Sequence, residues 1–125
     1  MNEAGTVGRL STAVIDALRG APADGMLVDL FRLPRAAGER HHLCTVETAS
    51  AADKVATTLL EGEAMIPASY ELLFHVGRYF KAQRVALEGA PFLDVIPVRF
   101  SIADGSKPHH LTLLTSPWAY TVYRS

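Results

Sequence analysis

Two adjacent histidines, His109 and His110, are the side chains of this chain best suited to acid–base chemistry. They open the segment HHLTLLTSPWAYTVYRS, which covers residues 109–125. The unperturbed pKa of an imidazole lies near neutral pH, so a neutral histidine can accept a proton from water. Successive side chains of a strand point to opposite faces, so only one of the two can line a given site. The pattern therefore predicts a single imidazole as the proton acceptor.

The other potential metal ligands do not form a recognisable set. His41 and His42 are adjacent, but the sequence offers no third ligand of the kind that a zinc site needs. The single cysteine, Cys44, excludes an internal disulfide, and we expect it to be a small core residue on a strand. His75 lies in an apolar segment and is expected to be a hydrogen-bonded, partly buried histidine. We predict neither a metal nor a cofactor.

Length and composition indicate one globular domain of ordinary kind. The chain has 125 residues, of which 49% are hydrophobic and 20% charged, and its formal net charge is −1. No cluster of Lys and Arg forms a surface for nucleic acid or anionic lipid. The first residues have no secretory pattern, and no apolar run approaches the roughly 20 residues of a membrane span. We therefore expect a cytoplasmic protein with no membrane or nucleic-acid partner.

The elements that must position the histidines are mostly strands. Apolar alternation and turn residues predict strands at residues 8–16, 26–33, 42–48, 59–62, 69–76 and 92–102, followed by two strands within 109–125 that turn at 116–117. Residues 77–84 are expected to form a two-turn helix with Tyr79, Phe80 and Ala82 facing inward. Pro97 cannot donate to a ladder, so its strand lies at an edge or carries a bulge. The spacing predicts a mainly β, antiparallel β-sandwich of seven or eight strands with one short helix.

Three parts of the chain share their order and motifs with a known family. The first is GRLSTAVID with RGAPA in residues 8–23, and the second is LLEG, YELLF and YF between residues 59 and 80. The third is the histidine strand, the Ser-Pro turn and the ending YRS. Together they resemble the 5-hydroxyisourate hydrolase family, the enzymatic relatives of transthyretin. The resemblance implies one transthyretin-like domain over residues 1–125, with residues 1–7 as a flexible N-terminus, assembled as a homotetramer with sites in a channel between dimers.

The resemblance also implies catalytic residues. The family reaction is water attack on a strained cyclic ureide, which opens the ring in urate breakdown. Carried over residue by residue, His110 would serve as acid and base, Lys54 and Arg124 as electrostatic stabilisers, and Ser125 as a positioning group. Lys54 stands where the family has an arginine, and the family ending Tyr-Arg-Gly-Ser is shortened by one residue to YRS.

The resemblance further implies residues that shape the pocket. Ala13 stands where the family's first strand carries a histidine, and we expect it to enlarge the substrate pocket. Tyr123 and Trp118 are expected to contact the substrate by packing, with no catalytic role.

Three hypotheses for function follow. The first is a divergent hydrolase acting on a small cyclic amide or ureide, or on a related reactive heterocycle, in an inter-subunit channel and in a specialised biosynthetic pathway. The second is a non-catalytic, transthyretin-like protein that binds a small molecule. The third is an inactive subunit that assembles with an active paralogue.

Overall fold

A computed structural model describes residues 8–50, 56–86 and 89–124 of the chain. In these ranges two β-sheets pack face to face around one hydrophobic core. The strands are β1 (Arg9–Asp16), β2 (Ala21–Pro22), β3 (Leu27–Arg32), β4 (His41–Glu47), β5 (Thr57–Glu61), β6 (Ala68–Phe74), β7 (Ile96–Ile102), β8 (Pro108–Thr115) and β9 (Tyr120–Arg124). The single α-helix of the described ranges is α1 (Val76–Ala82), and a 3₁₀ turn covers Gly62–Ala64. The predicted mainly β sandwich with one short helix is confirmed.

The first sheet is organised around β1. Its strand order is β2-β1-β8-β9, and β5 also pairs with β1. The antiparallel prediction holds for every described pair except β1 and β8, which run parallel in the register Ser11↔His110 and Ala13↔Thr112. Because β8 lies beside β1 throughout its length, residues about a hundred positions apart in the sequence become neighbours.

The second sheet has the order β4-β3-β6-β7, with all neighbours antiparallel. β7 lies at the edge and contains Pro97, which pairs with Leu73 on its one neighbour. The predicted edge position of this proline is therefore confirmed. In the described ranges no helix is long and apolar enough to cross a membrane.

The core lies between the sheets and takes alternate residues from each strand. On β1, Leu10, Thr12 and Val14 are buried against the second sheet, as period-two alternation requires. The largest fully buried side chains are Tyr70, Phe74, Phe80, Leu10, Met26, Leu30, Leu72, Ile96 and Leu113. Cys44 lies on β4, half-buried and packed against this core, where burial raises the pKa of its thiol.

Helix α1 covers one end of the sandwich through Tyr79 and Phe80, which are buried as predicted. The prediction that Ala82 faces inward was wrong, because the helix ends at this residue and leaves it exposed. The Tyr79 hydroxyl donates a hydrogen bond of 2.9 Å to Oδ2 of Asp16, the last residue of β1. The helix is thereby fixed to the strand at the centre of the first sheet.

The strand predicted at residues 92–102 begins only at Ile96. Backbone groups before it bond elsewhere: Gly77 N–H donates to Asp94 O at 2.8 Å, and Leu93 N–H donates to Pro117 O at 3.3 Å. Residues 92–95 therefore connect α1 to the turn before β9 instead of extending the sheet.

Candidate functional site

The candidate site lies on the outer face of the first sheet, which is the face turned away from the core. Ser11 and Ala13 point to this face because Leu10, Thr12 and Val14 occupy the core face of β1. The same alternation places His110 and Thr112 of β8 on the outer face, and Tyr123 of β9 pairs with Thr112. We call Ser11, Ala13, His110, Thr112 and Tyr123 the outer-face cluster.

Both ring nitrogens of His110 lie within hydrogen-bonding distance of hydroxyl groups. Ser11 Oγ lies 2.8 Å from Nδ1, and Thr112 Oγ1 lies 3.2 Å from Nε2. Ser11 lies opposite His110 on the neighbouring parallel strand β1, and Thr112 lies two residues further along β8. The two hydroxyls fix the plane of the imidazole between the strands.

The electrostatic surroundings favour the neutral form of His110. Burial lowers the pKa of His110, and the positive charge of Arg9 lowers it further. Arg9 is the first residue of β1 and shares the outer face with Ser11. The imidazole is therefore able to accept a proton at neutral pH.

Ala13 presents only a methyl group beside the imidazole, and it is buried, with 6% of its surface exposed. It pairs with Thr112 of the neighbouring strand β8. Tyr123 flanks Thr112 from the other side and is half-exposed. The structure thus brings three of the predicted site residues, namely His110, Ala13 and Tyr123, into one patch.

Arg124 and Trp118 do not join that patch within one chain. Arg124 pairs with Leu111, so it belongs to the opposite face of the sheet from His110. There it lines a groove of about 230 Å³ between β7 and β9, together with His109. Trp118 is exposed in the turn that follows β8. The end of β8 at Thr115 is already about 17 Å from His110 at the usual rise per residue of a strand.

The remaining predicted site residues, Lys54 and Ser125, lie outside the described residues. As predicted, His109 points away from the face that carries His110. Its Nε2 lies 2.9 Å from the carbonyl oxygen of Asp104, in the loop before β8.

Sequence reasoning missed Ser11, Thr112 and Arg9 as neighbours of His110. One usable signal was the alternation on β1, which places Ser11 and Ala13 on the same face. The pairing of β1 with β8 joins positions 99 residues apart, and local spacing carries no information about it.

A second polar cluster lies on the outer face of the other sheet. Asp29 accepts a hydrogen bond from Thr45, its Oδ2 lies 2.8 Å from His75 Nε2, and its Oδ1 lies 3.4 Å from His42 Nε2. Burial opposes ionisation of Asp29, but the bonds from Thr45 and His75 outweigh it and lower the pKa of the carboxyl. His75 is hydrogen-bonded and partly buried, as predicted. Among the described residues, no group of three or more His, Cys, Asp or Glu side chains is arranged to hold a metal ion.

Comparison with known proteins extends these observations. The model of the HIUase/Transthyretin family matches residues 10–125. The chain is 44% identical to 5-hydroxyisourate hydrolase 2 of Rhizobium meliloti over 117 residues, which is 94% of this chain and 95% of that protein. It is 40% identical to 5-hydroxyisourate hydrolase of Ralstonia nicotianae over 118 residues, covering 94% and 98% of the two chains.

Solved structures agree with the fold. An (S)-allantoin synthase superposes with a TM-score of 0.83 at 31% identity, over 96% of this chain and 44% of that one. Sea bream transthyretin in complex with thyroxine superposes with a TM-score of 0.74 at 23% identity, over 93% of each chain. The matched motifs, the two sheets and these relatives agree, and the chain belongs to the HIUase/Transthyretin family.

Proposed function

We propose that this protein is a hydrolase that opens a small cyclic amide or ureide, or a related reactive heterocycle, at the outer-face cluster. The observation that carries the proposal is the imidazole of His110, which is half-buried, favoured in its neutral form and held by two hydroxyls on the outer face of the first sheet. Relatives named 5-hydroxyisourate hydrolase, 34–44% identical over most of the chain, support a ring-opening reaction of this class. His110 serves as the acid and base of the reaction.

The substrate need not be 5-hydroxyisourate itself. A methyl group at Ala13 leaves more space next to His110 than an imidazole would, so the pocket accommodates a bulkier ring. Tyr123 contributes an aromatic surface at the same level of the sheet. These two residues are the proposed substrate contacts, and a larger heterocycle from a specialised biosynthetic pathway fits them.

Self-association completes the proposed site. Four exposed apolar or aromatic side chains are concentrated on β8, β9 and their turn, namely Leu114, Trp118, Tyr120 and Tyr123. Clustered exposure of this kind is typical of a protein–protein contact. Because Arg124 and Trp118 lie away from His110 in one chain, their proposed roles require a homotetramer in which another subunit supplies them. The proposed roles of Lys54 in electrostatic stabilisation and of Ser125 in positioning also depend on this homotetramer.

A binding protein without chemistry is the second candidate function. It is favoured by the hydroxyls at both nitrogens of His110, because both nitrogens of such an imidazole already have hydrogen-bond partners. In this case the cluster would hold an aromatic ligand between subunits.

Kinetics with a matched pair of variants separates the two functions. We expect the purified protein to accelerate ring opening of at least one member of a small panel, comprising 5-hydroxyisourate, hydantoin, dihydrouracil and ring-substituted analogues. His110→Ala should lower kcat/KM by about 10²–10⁴-fold, the usual contribution of a general base. His109→Ala is the matched control, because the neighbouring residue on the same strand points to the other face, and it should leave the rate unchanged. Equal rates for wild type and His110→Ala would contradict the hydrolase proposal, and tight binding of an intact ring would then favour the binding protein.

A further inference from the structure

The two hydroxyls on His110 restrict what its imidazole can deprotonate. A neutral imidazole has one N–H donor and one bare nitrogen that accepts. Ser11 Oγ lies 2.8 Å from Nδ1 and Thr112 Oγ1 lies 3.2 Å from Nε2, so each nitrogen has a hydroxyl within hydrogen-bonding distance. The nitrogen that accepts therefore has one of these hydroxyls as a proton source already in place.

Distance and chemistry favour Ser11 as the proton donor. An O–H donor approaches its acceptor more closely than an N–H donor does, and the shorter contact is the one made by Ser11. In the matching tautomer the hydrogen lies on Nε2 and is donated to Thr112 Oγ1, while Nδ1 accepts from Ser11 Oγ. A serine hydroxyl is also a less hindered nucleophile than the secondary hydroxyl of threonine.

Ser11 is flanked on the outer face by residues of both partner strands and by Arg9 and Ala13 of its own strand. Thr58 of β5 pairs with Ser11 on one side and His110 of β8 on the other. Along β1, the next residue on the same face is Ala13, which presents only a methyl group. Ser11 and Ala13 are only 8% and 6% exposed. A planar amide that lies over this methyl group brings its carbonyl carbon next to the serine oxygen.

We propose that Ser11 is the nucleophile of the reaction and His110 its general base, so that hydrolysis passes through an ester on Ser11. The proposal rests on ring opening as the proposed function and specifies how it occurs. Ser11 Oγ bonds to the carbonyl carbon of the ring while its proton passes to His110 Nδ1. The C–N bond then breaks, and the imidazolium returns the proton to the ring nitrogen, which stays attached to the same molecule.

The ester is hydrolysed in the second half of the reaction. A water molecule adds to the ester carbonyl, His110 takes its proton, and the proton passes to Ser11 Oγ as the C–O bond breaks. The sum is the addition of one water across one amide bond, and no oxidant, reductant or metal is consumed. This route differs from direct attack by water in having a covalent intermediate, which can be detected.

An activated ester tests the nucleophile independently of the natural substrate. We expect p-nitrophenyl acetate to acetylate the full-length protein, with the added mass located on Ser11 by peptide mass spectrometry. Ser11→Ala and His110→Ala should both abolish this label, whereas Thr58→Ala, which removes a neighbouring hydroxyl not bonded to the imidazole, should retain it. Absence of a label on Ser11, or a label that persists in His110→Ala, would overturn the proposal.

Ring-opening kinetics then separates the nucleophile from the function. With the cyclic substrate, Ser11→Ala should lower kcat on the order of 10²-fold or more, and circular dichroism should show that the variant is folded. If the wild type opens the ring and folded Ser11→Ala does so equally fast, the nucleophile is wrong but the hydrolase stands. If Ser11 is acetylated but no ring is opened, the hydrolase is wrong and the reactive serine stands. A loss of rate in Ser11→Ala without any acyl intermediate on the wild type during turnover would assign Ser11 to positioning alone and overturn the proposal.

Discussion

Arg9 and His110 lie on the same face of two neighbouring strands, and the charge of Arg9 adds to burial in lowering the pKa of the imidazole. A lowered pKa keeps the neutral, proton-accepting form present as the pH falls below the usual histidine value of about 6.5. We expect the acid limb of the kcat/KM profile to lie below that value. Arg9→Gln should move it upwards, because removing a positive charge makes protonation easier.

The same shift can be measured without a substrate. In an NMR titration of the His110 ring, Arg9→Gln should raise the pKa relative to the wild type. Arg78→Gln, an exposed arginine on α1, should leave it unchanged. An unaltered His110 pKa in Arg9→Gln would show that the Arg9 charge is screened by solvent.

Introducing a histidine at Ala13, where the resemblance leads us to expect one in the family, tests whether the alanine has retuned the site. The new imidazole would lie on the outer face beside Thr112, within the same patch as His110. We expect Ala13→His to raise kcat/KM for 5-hydroxyisourate on the order of 10²-fold, because a second acid–base group then lies beside the reacting ring. Ala13→Asn is the control of similar polarity without a titratable group. No gain in Ala13→His would show that the outer face differs from the family site in more than this residue.

Glu71 should make the stability of the fold depend on pH. Its buried carboxylate accepts hydrogen bonds from Arg40 and from Arg99. Burial opposes ionisation, but the two guanidinium groups outweigh it and lower the pKa of Glu71. A carboxyl with a lowered folded pKa contributes stability above its unfolded pKa of about 4.3, and that contribution is lost as the pH falls through the folded pKa.

Removing this carboxylate should therefore lower the free energy of unfolding at neutral pH but not in acid. Breaking a fully buried pair costs about 3–5 kcal/mol. Because the Arg40 and Arg99 side chains are 43% and 72% exposed, we expect Glu71→Gln to lose about 1–2 kcal/mol in urea unfolding at neutral pH. The difference from wild type should shrink in acid, and Glu63→Gln, an exposed control, should show none. A pH-independent difference would assign the loss to packing.

The hydrogen bond between Tyr79 and Asp16 should contribute to the attachment of α1. Asp16 also accepts bonds from the backbone N–H groups of Leu18 and Arg19, so Tyr79→Phe removes one of several partners. We expect a loss of about 1 kcal/mol in the free energy of unfolding. Tyr120→Phe, which alters an exposed ring on β9, is the control and should be neutral. Equal unfolding midpoints for Tyr79→Phe and wild type would show that the packing of the ring alone holds the helix.

Much of the fold could be predicted because most strands carry their own signal, although the two-residue strand β2 was not predicted. Alternation on β1 places Leu10 and Val14 on one face and Ala13 on the other, and the structure makes the first of these the core face. Residues 92–95 were assigned wrongly because their backbone groups bond to α1 and to the turn at Pro117, and composition does not reveal such partners. The bond from Ser11 to His110 could not be predicted, since it requires knowing that the first and eighth strands run side by side.

That side-by-side arrangement has a consequence for biosynthesis. β1 leaves the ribosome about a hundred residues before its long neighbour β8, so β1 waits with most of one edge uncovered. Contacts between such distant positions form slowly. The chain between them must first close into a large loop, and it loses conformational entropy before the contacts stabilise it. The serine and the imidazole therefore meet only after β8 has been synthesised, and nascent chains that stop before β8 carry no candidate site.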